Sequence, residues 1–240
     1  MSKNYIIFNN KSSYEDLELL LDTPSIPTSN EDVEEVEVEG RNGTVTIKKG
    51  TYPNKIIPLK FTLKRKYNES IEDFYLRVQE VEDWLEFIED DNLVLYLKPN
   101  RKYIVKRIEK DDIIPESQIF AKIQTNFICE PFAYKLVENI ITLTKESDIN
   151  YDGTVKGECN IKIYGNGNIQ LTINDDTVQI NNVNEYVELD SKLLLCLNKD
   201  KTSKSRDMIG HFPILTRGSN KVSWIGNVSK IEILPRTAYK

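Results

Sequence analysis

Residues 127–134 read FICEPFAY. The strand-like run upstream, residues 118–129, closes on Cys129, with Pro131 two residues on, and beyond Pro131 the character of the chain changes. The stretch is either the setting of a reactive cysteine or a seam between two β-domains. No lysine, arginine or histidine flanks Cys129 in sequence to lower its pKa, so the residues point to packing and to the seam. The boundary then divides the chain into residues 1–133 and 134–240.

Upstream of the seam, short strands surround a single helix. Residues 5–8 form an apolar strand, and Val36 and Val38 alternate with Glu37 and Glu39, a strand pattern with one wet face. Asn42-Gly43 is a strong hairpin turn signal, which predicts a hairpin over about residues 33–48. Leu59, Phe61 and Leu63 alternate with Lys60, Thr62 and Lys64 in a half-buried strand. The helix starts at Ser70, a capping residue with an acid three positions on, and spans about residues 70–90. Its apolar stripe is Ile71, Phe74, Tyr75, Val78, Val81, Leu85 and Ile88, widened by Trp84. Strands follow at 93–97 and 103–108, then a connection at 111–117 and the long run into the seam.

Downstream, no segment has helical period. Short apolar runs recur between turn signals, the mark of a β-sandwich: CNIKIYG, NIQLTI, TVQI, EYVELD, LLLCL, KVSWIG and KIEILP. Gly165 and Gly167, in YGNGNI, read as a turn or bulge between strands, because the dinucleotide fingerprint needs a third glycine and a following helix. The fold class is mainly β: an N-terminal sandwich or barrel-like domain with one α-helix and a β-hairpin, then a C-terminal β-sandwich.

Composition narrows function by exclusion. A net charge of −6 over 240 residues argues against stable nucleic-acid binding. No apolar run reaches the ~18–20 residues of a membrane span, and the N-terminus lacks a leader pattern, so the expectation is a chain made in the cytoplasm without membrane insertion. His211 is the only histidine and Cys129, Cys159 and Cys196 lie far apart, leaving no spacing for a zinc site and no catalytic triad; the thiols read as reduced and packed. The basic run 199–206 reads as a hydrophilic loop. A pair of carboxylates for glycoside hydrolysis needs only to meet in space, and the sequence singles out no two. The expectation is no catalytic residues, cofactor or metal.

The motifs also carry a resemblance. In the first half these are RNGT (41–44), IIPLKFTL (56–63), EDWLEF (82–87), LVLYLKPNRKYIVKRI (93–108) and AKIQTNFICEPFAY (121–134). In the second they are IKIYGNGNIQLTIN (161–174), YVELD (186–190) and the stretch 208–236. Together they resemble the siphophage distal tail proteins, whose N-terminal ring domain precedes a galectin-like sandwich. The specific part is an ordered set: Phe127, Cys129, Pro131 and Tyr134 at the seam, then Gly210, Phe212, Pro213, Gly218 and Asn220, then Trp224 and Gly226.

The resemblance implies a structural protein of the virion tail tip. Six copies form a ring that joins the major tail tube protein to the tail-associated lysin, fibre or receptor-binding proteins and so to host adsorption. Glu35, Glu37 and Glu39 become candidates for lining a channel through which DNA passes, or else an ordinary solvated strand face. Only about a hundred residues follow the seam, which implies a compact form without an added carbohydrate-binding module. Two readings of other classes stay open: a stand-alone carbohydrate-binding sandwich, with Trp224 the one candidate platform by residue type, and a cryptic hydrolase.

Overall fold

The computed structural model describes residues 4–110 and 114–240. Two compact units emerge, residues 1–133 with Lys240 and residues 134–239. The chain is mainly β: one unit carries the helix and a hairpin, and the other is a sandwich.

The first unit begins with β1 (Ile6–Phe8), β2 (Lys11–Ser12) and β3 (Leu20–Leu21), followed by a hairpin of β4 (Val33–Glu37) and β5 (Thr44–Lys48). Then come β6 (Lys55–Lys64), α1 (Ile71–Glu86), β7 (Asn92–Leu95), β8 (Arg101–Lys110), β9 (Ile114–Ser117) and β10 (Phe120–Lys135). The sheet runs β2-β1-β7-β8-β10-β6-β3, with β9 on β10, while β4 and β5 pair only with each other. In β6 every second residue from Lys55 to Leu63 is buried, as period-two alternation requires.

Helix α1 spans the gap between β6 and β7. The Asp73 N–H donates to Ser70 Oγ at 3.0 Å, satisfying one of the donors a helix start leaves open. Phe74, Val78, Val81, Trp84 and Leu85 are buried. Trp84 Nε1 donates to the Phe8 carbonyl at 3.0 Å, and its ring meets Phe8 and Phe61 edge-on at 5.8 and 6.3 Å. Phe127 stands edge-on to Phe8 at 5.2 Å, so one aromatic cluster ties helix, first strand and last strand together. The expected stripe is wider than the buried one: Ile71 and Tyr75 are exposed, because the helix start lies outside that cluster.

Strand β10 does not stop at the seam. It passes Cys129, its last residue paired with β6 (opposite Lys55), and runs on through Pro131 to Lys135. The seam, expected to end the strand at Cys129, is therefore crossed by continuous strand. Proline is tolerated because the β6 ladder has already ended, so its missing N–H breaks no bond with that strand. In the expected connection at 111–117, residues 111–113 lie outside those described and 114–117 form β9.

The second unit contains β11 (Ile141–Leu143), β12 (Ser147–Tyr151), β13 (Asn160–Ile173), β14 (Asp176–Val183) and β15 (Tyr186–Asp190). It continues with β16 (Leu195–Asn198), a 3-10 turn Ser205–Asp207, β17 (Met208–Gly210), β18 (Gly218–Leu234) and β19 (Ala238–Tyr239). The sequence suggests two strands on either side of Gly165-Asn166-Gly167 and two around Gly226; each pair is instead one long strand. Strands β13 and β18 pair with each other along almost their whole length, with register shifts at Tyr164/Gly165 and between Asn166 and Gln170. On one side of the shift β13 pairs with β15, on the other with β14, so each long strand bends and serves both layers.

Two glycines permit the bend. A Cβ at Gly165 would sit 2.2 Å from the Asn227 carbonyl oxygen, and Gly226 takes φ +117 with Asn168 O 2.5 Å from where a Cβ would be. Between the layers Ile161, Ile163, Ile231, Ile233, Val187 and Leu189 meet Ile169, Leu171, Ile173, Val178, Ile180 and Val222 in one buried cluster.

Candidate assembly surfaces

The motif residues of the seam and the sandwich lie in strands, bends and loops of the two units. Phe127 and Cys129 are fully buried; the Cys129 thiol is pushed up to about 12 by burial, which leaves it protonated and unreactive. Cys159 and Cys196 are also buried, at about 12 and about 11 from the same cause. Pro131 O accepts from Ser29 Oγ, and the Lys192 ammonium lies 5.0 Å from the Tyr134 ring centroid.

Farther on, Pro213 O accepts from Ser191 Oγ at 2.6 Å, and Phe212 and Trp224 pack half-buried on the core. Asn220 is wholly buried and fully answered: Oδ1 accepts from Thr216 N at 2.8 Å and Asn174 Nδ2 at 3.0 Å, while Nδ2 donates to Thr216 O at 2.7 Å and Gly218 O at 3.0 Å. Gly167, Gly210 and Gly218 sit at positive φ in bends of the backbone. These residues build the fold rather than a pocket. His211 is exposed. Among the described residues no three of His, Cys, Asp and Glu come together as a metal site would need.

The basic run is a hydrophilic loop, as expected, with most of its charges paired: Lys199 with Glu185, Lys201 with Glu188, and the buried Lys204 with Asp207 at 2.8 Å, while Arg206 is exposed. Among the described residues no helix is long and apolar enough to cross a membrane.

The acidic hairpin is the conspicuous surface. Residues 31–49 carry six carboxylates against three basic side chains. Lys49 pairs with Asp32 at 3.4 Å and Lys48 lies 3.8 Å from Glu31, both at the base. The ladder sets Val33 opposite Lys48, Glu35 opposite Thr46 and Glu37 opposite Thr44, so Glu35 and Glu37 share one face. Glu39 lies past the strand, at a tip lined also by Glu37, Val38, Arg41, Gly43 and Thr44. The structure thus brings two of the three channel candidates onto one face and puts the third at the turn.

The expectation of one wet and one dry face fails here. Every residue of β4 is exposed, and the second face, with Glu34 and Val36 opposite Ile47 and Val45, is open as well. Val36, Val38 and Ile47 are exposed apolar side chains on a ribbon that the rest of the unit leaves uncovered. Alternation reports that two faces differ, not whether anything covers the drier one. A second apolar surface lies on α1, where Ile71, Tyr75 and Leu76 are exposed beside Tyr67. Leu76 falls outside the predicted stripe, and only the helix's placement reveals it.

No protein-family model matches the chain, and no curated protein does. Among solved structures the chain is similar to Dit (gp 19.1) of phage SPP1, described as a paradigm of the hub adsorption apparatus in phages infecting Gram-positive bacteria. The two share 11% sequence identity at a TM-score of 0.70, over 97% of this chain and 98% of the other. At that identity the likeness establishes a common fold across both units.

Proposed function

We propose that this chain is the structural hub of a long non-contractile phage tail tip, a distal tail protein of the virion rather than an enzyme. The observation that carries the reading is the end-to-end fold likeness to a phage adsorption hub, which includes the helix-bearing unit and the sandwich in the same order. In this reading residues 1–133 build a ring of six copies and residues 134–240 form a galectin-like docking platform. The ring joins the tail tube protein to lysin, fibre or receptor-binding proteins.

A ring of identical chains needs head-to-tail contacts between unlike surfaces. The β4–β5 ribbon and the outer face of α1 are two such surfaces, both partly apolar and both uncovered in the single chain. A lone two-stranded ribbon is marginal in water, which favours a partner for it. In this reading Glu35 and Glu37, with Glu39 at the tip, line the channel, and their charge repels DNA phosphates. Charge reversal of all three to lysine is expected to slow DNA ejection; unchanged ejection would remove them from that role.

Gold-labelled antibody against this chain is expected to decorate the distal end of tails in particles from the producing host. Label on capsids, along the tube or on no particle at all would overturn the assignment. The sugar-binding alternative has less support, because Trp224, its one platform candidate, packs against the sandwich core.

A further inference from the structure

Two asparagines in the chain are followed by glycine, Asn42 and Asn166; every other asparagine precedes a residue that carries a Cβ. The pair matters chemically. A backbone nitrogen that follows asparagine can attack the amide carbon of that side chain, and glycine, with no Cβ, lets the nitrogen swing into reach. Both asparagines are exposed, so access to water does not separate them. Their hydrogen bonding does.

Asn42 lies in the tip of the β4–β5 ribbon. The ladder stops at Glu37 opposite Thr44, which leaves residues 38–43 as a loop. Inside that loop the Arg41 N–H donates to the Val38 carbonyl at 3.1 Å, closing a turn over 38–41 with Gly40 at φ +79. Asn42 and Gly43 fall outside this turn, and Gly43 takes φ +82 with open space where a Cβ would be. Among the described residues no hydrogen bond within the chain holds the Asn42 amide. The ribbon beneath is uncovered and two-stranded, so its tip opens at little cost.

Asn166 is held. It stands in β13 opposite Asn227, Gly167 stands opposite Val183, and Asn166 Oδ1 accepts from the Glu185 N–H at 3.0 Å. Bringing the Gly167 nitrogen onto the Asn166 amide carbon means pulling both residues out of the sheet.

We propose that Asn42-Gly43 is a self-modification site, where the chain deamidates with water as the co-reactant. The Gly43 nitrogen gives its proton to hydroxide and bonds to Asn42 Cγ. The Cγ–Nδ2 bond breaks, and Nδ2 leaves as ammonia with a proton from water, so a cyclic succinimide remains. Water then opens either carbonyl–nitrogen bond. Opening at Cγ leaves aspartate at position 42; opening at the backbone carbonyl leaves isoaspartate, with the main chain routed through Cβ and one atom longer. In sum one water is consumed and one ammonia released, with no oxidation or reduction. Residues 38–43 hold one acid, Glu39, and one base, Arg41, so either product turns a balanced tip into a negative one beside Glu37. Nothing in this chemistry depends on the tail-hub reading.

The test holds the purified full chain in mildly alkaline buffer made with heavy-oxygen water and follows both asparagines by peptide mapping and mass spectrometry. Isoaspartate is read separately with an isoaspartyl methyltransferase. Asn42 is expected to convert at a rate close to that of the blocked peptide Glu-Gly-Arg-Asn-Gly-Thr, and at least about tenfold faster than Asn166. Its product should carry one heavy oxygen, and the rate should rise with pH because the attacking nitrogen must lose its proton. Asn42→Gln, an exposed change that leaves the fold alone, should remove the methyltransferase signal. An intact Asn42 while the peptide converts, equal conversion at Asn166, or an undiminished signal in Asn42→Gln would each overturn the site.

Discussion

Asp190 shows how single residues hold the sandwich together. Its two carboxylate oxygens meet Arg236 in a fork at 2.6 Å each, and Oδ1 also accepts from the Leu193 and Lys192 backbone at 2.9 and 3.0 Å. The Arg236 guanidinium, aided by the Leu193 N–H, holds the carboxyl down at about 2 from 3.8, against the opposing pull of burial. A depressed carboxylate stabilises the fold above its unfolded pKa and loses that contribution as pH falls through the folded value. The sandwich should therefore lose about 2 kcal/mol between roughly pH 4 and pH 2, read as a falling denaturant midpoint that Asp190→Asn no longer shows. Asp190→Asn itself should cost about 2–3 kcal/mol at neutral pH by stranding Arg236. The thiols act with the opposite sign. Their raised pKa values stabilise the fold below about pH 9 and that contribution fades as pH climbs toward 12, so stability should fall in alkali. An aromatic disulfide reagent at pH 8 should label none of Cys129, Cys159 and Cys196 in the folded chain and all three in guanidinium.

Among the elements, α1 and the β4–β5 ribbon make opposite predictions. The helix is bound into its unit by Trp84, whose ring and indole N–H both have partners, so Trp84→Ala should cost about 3–5 kcal/mol in chemical denaturation. The ribbon has little to lose: Val36→Lys with Ile47→Lys should leave the melting of the single chain almost unchanged and yet abolish self-association. Much of this was legible in the sequence. Ser70 announced the helix start, Asn42-Gly43 the hairpin, and the Leu59-Phe61-Leu63 alternation the buried face of β6. What was not legible depends on distant packing. Whether YGNGNI turns the chain or bends one strand is decided by the approach of the Asn227 carbonyl to Gly165, made by residues some sixty positions away. Pro131 looked like a stop because local pattern cannot tell that the β6 ladder has already ended beside it. The place of Lys55 on the core-facing side of β6 was likewise hidden, since lysine in an alternating strand reads as the wet face until its neighbours are known.

At the scale of the molecule, two units of different construction are carried on one chain, with strand β10 running past their division. Both leave apolar side chains uncovered, the first on its ribbon and helix and the second at residues such as Val137, Leu193, Leu194, Ile209 and Ile225. Self-assembly as a hub is tested by the light-scattering mass of the purified full chain across a wide concentration series. A species six times the 27.8 kDa chain is expected, growing in with concentration and lost in the Val36→Lys, Ile47→Lys variant. A monomer mass at every concentration would contradict it.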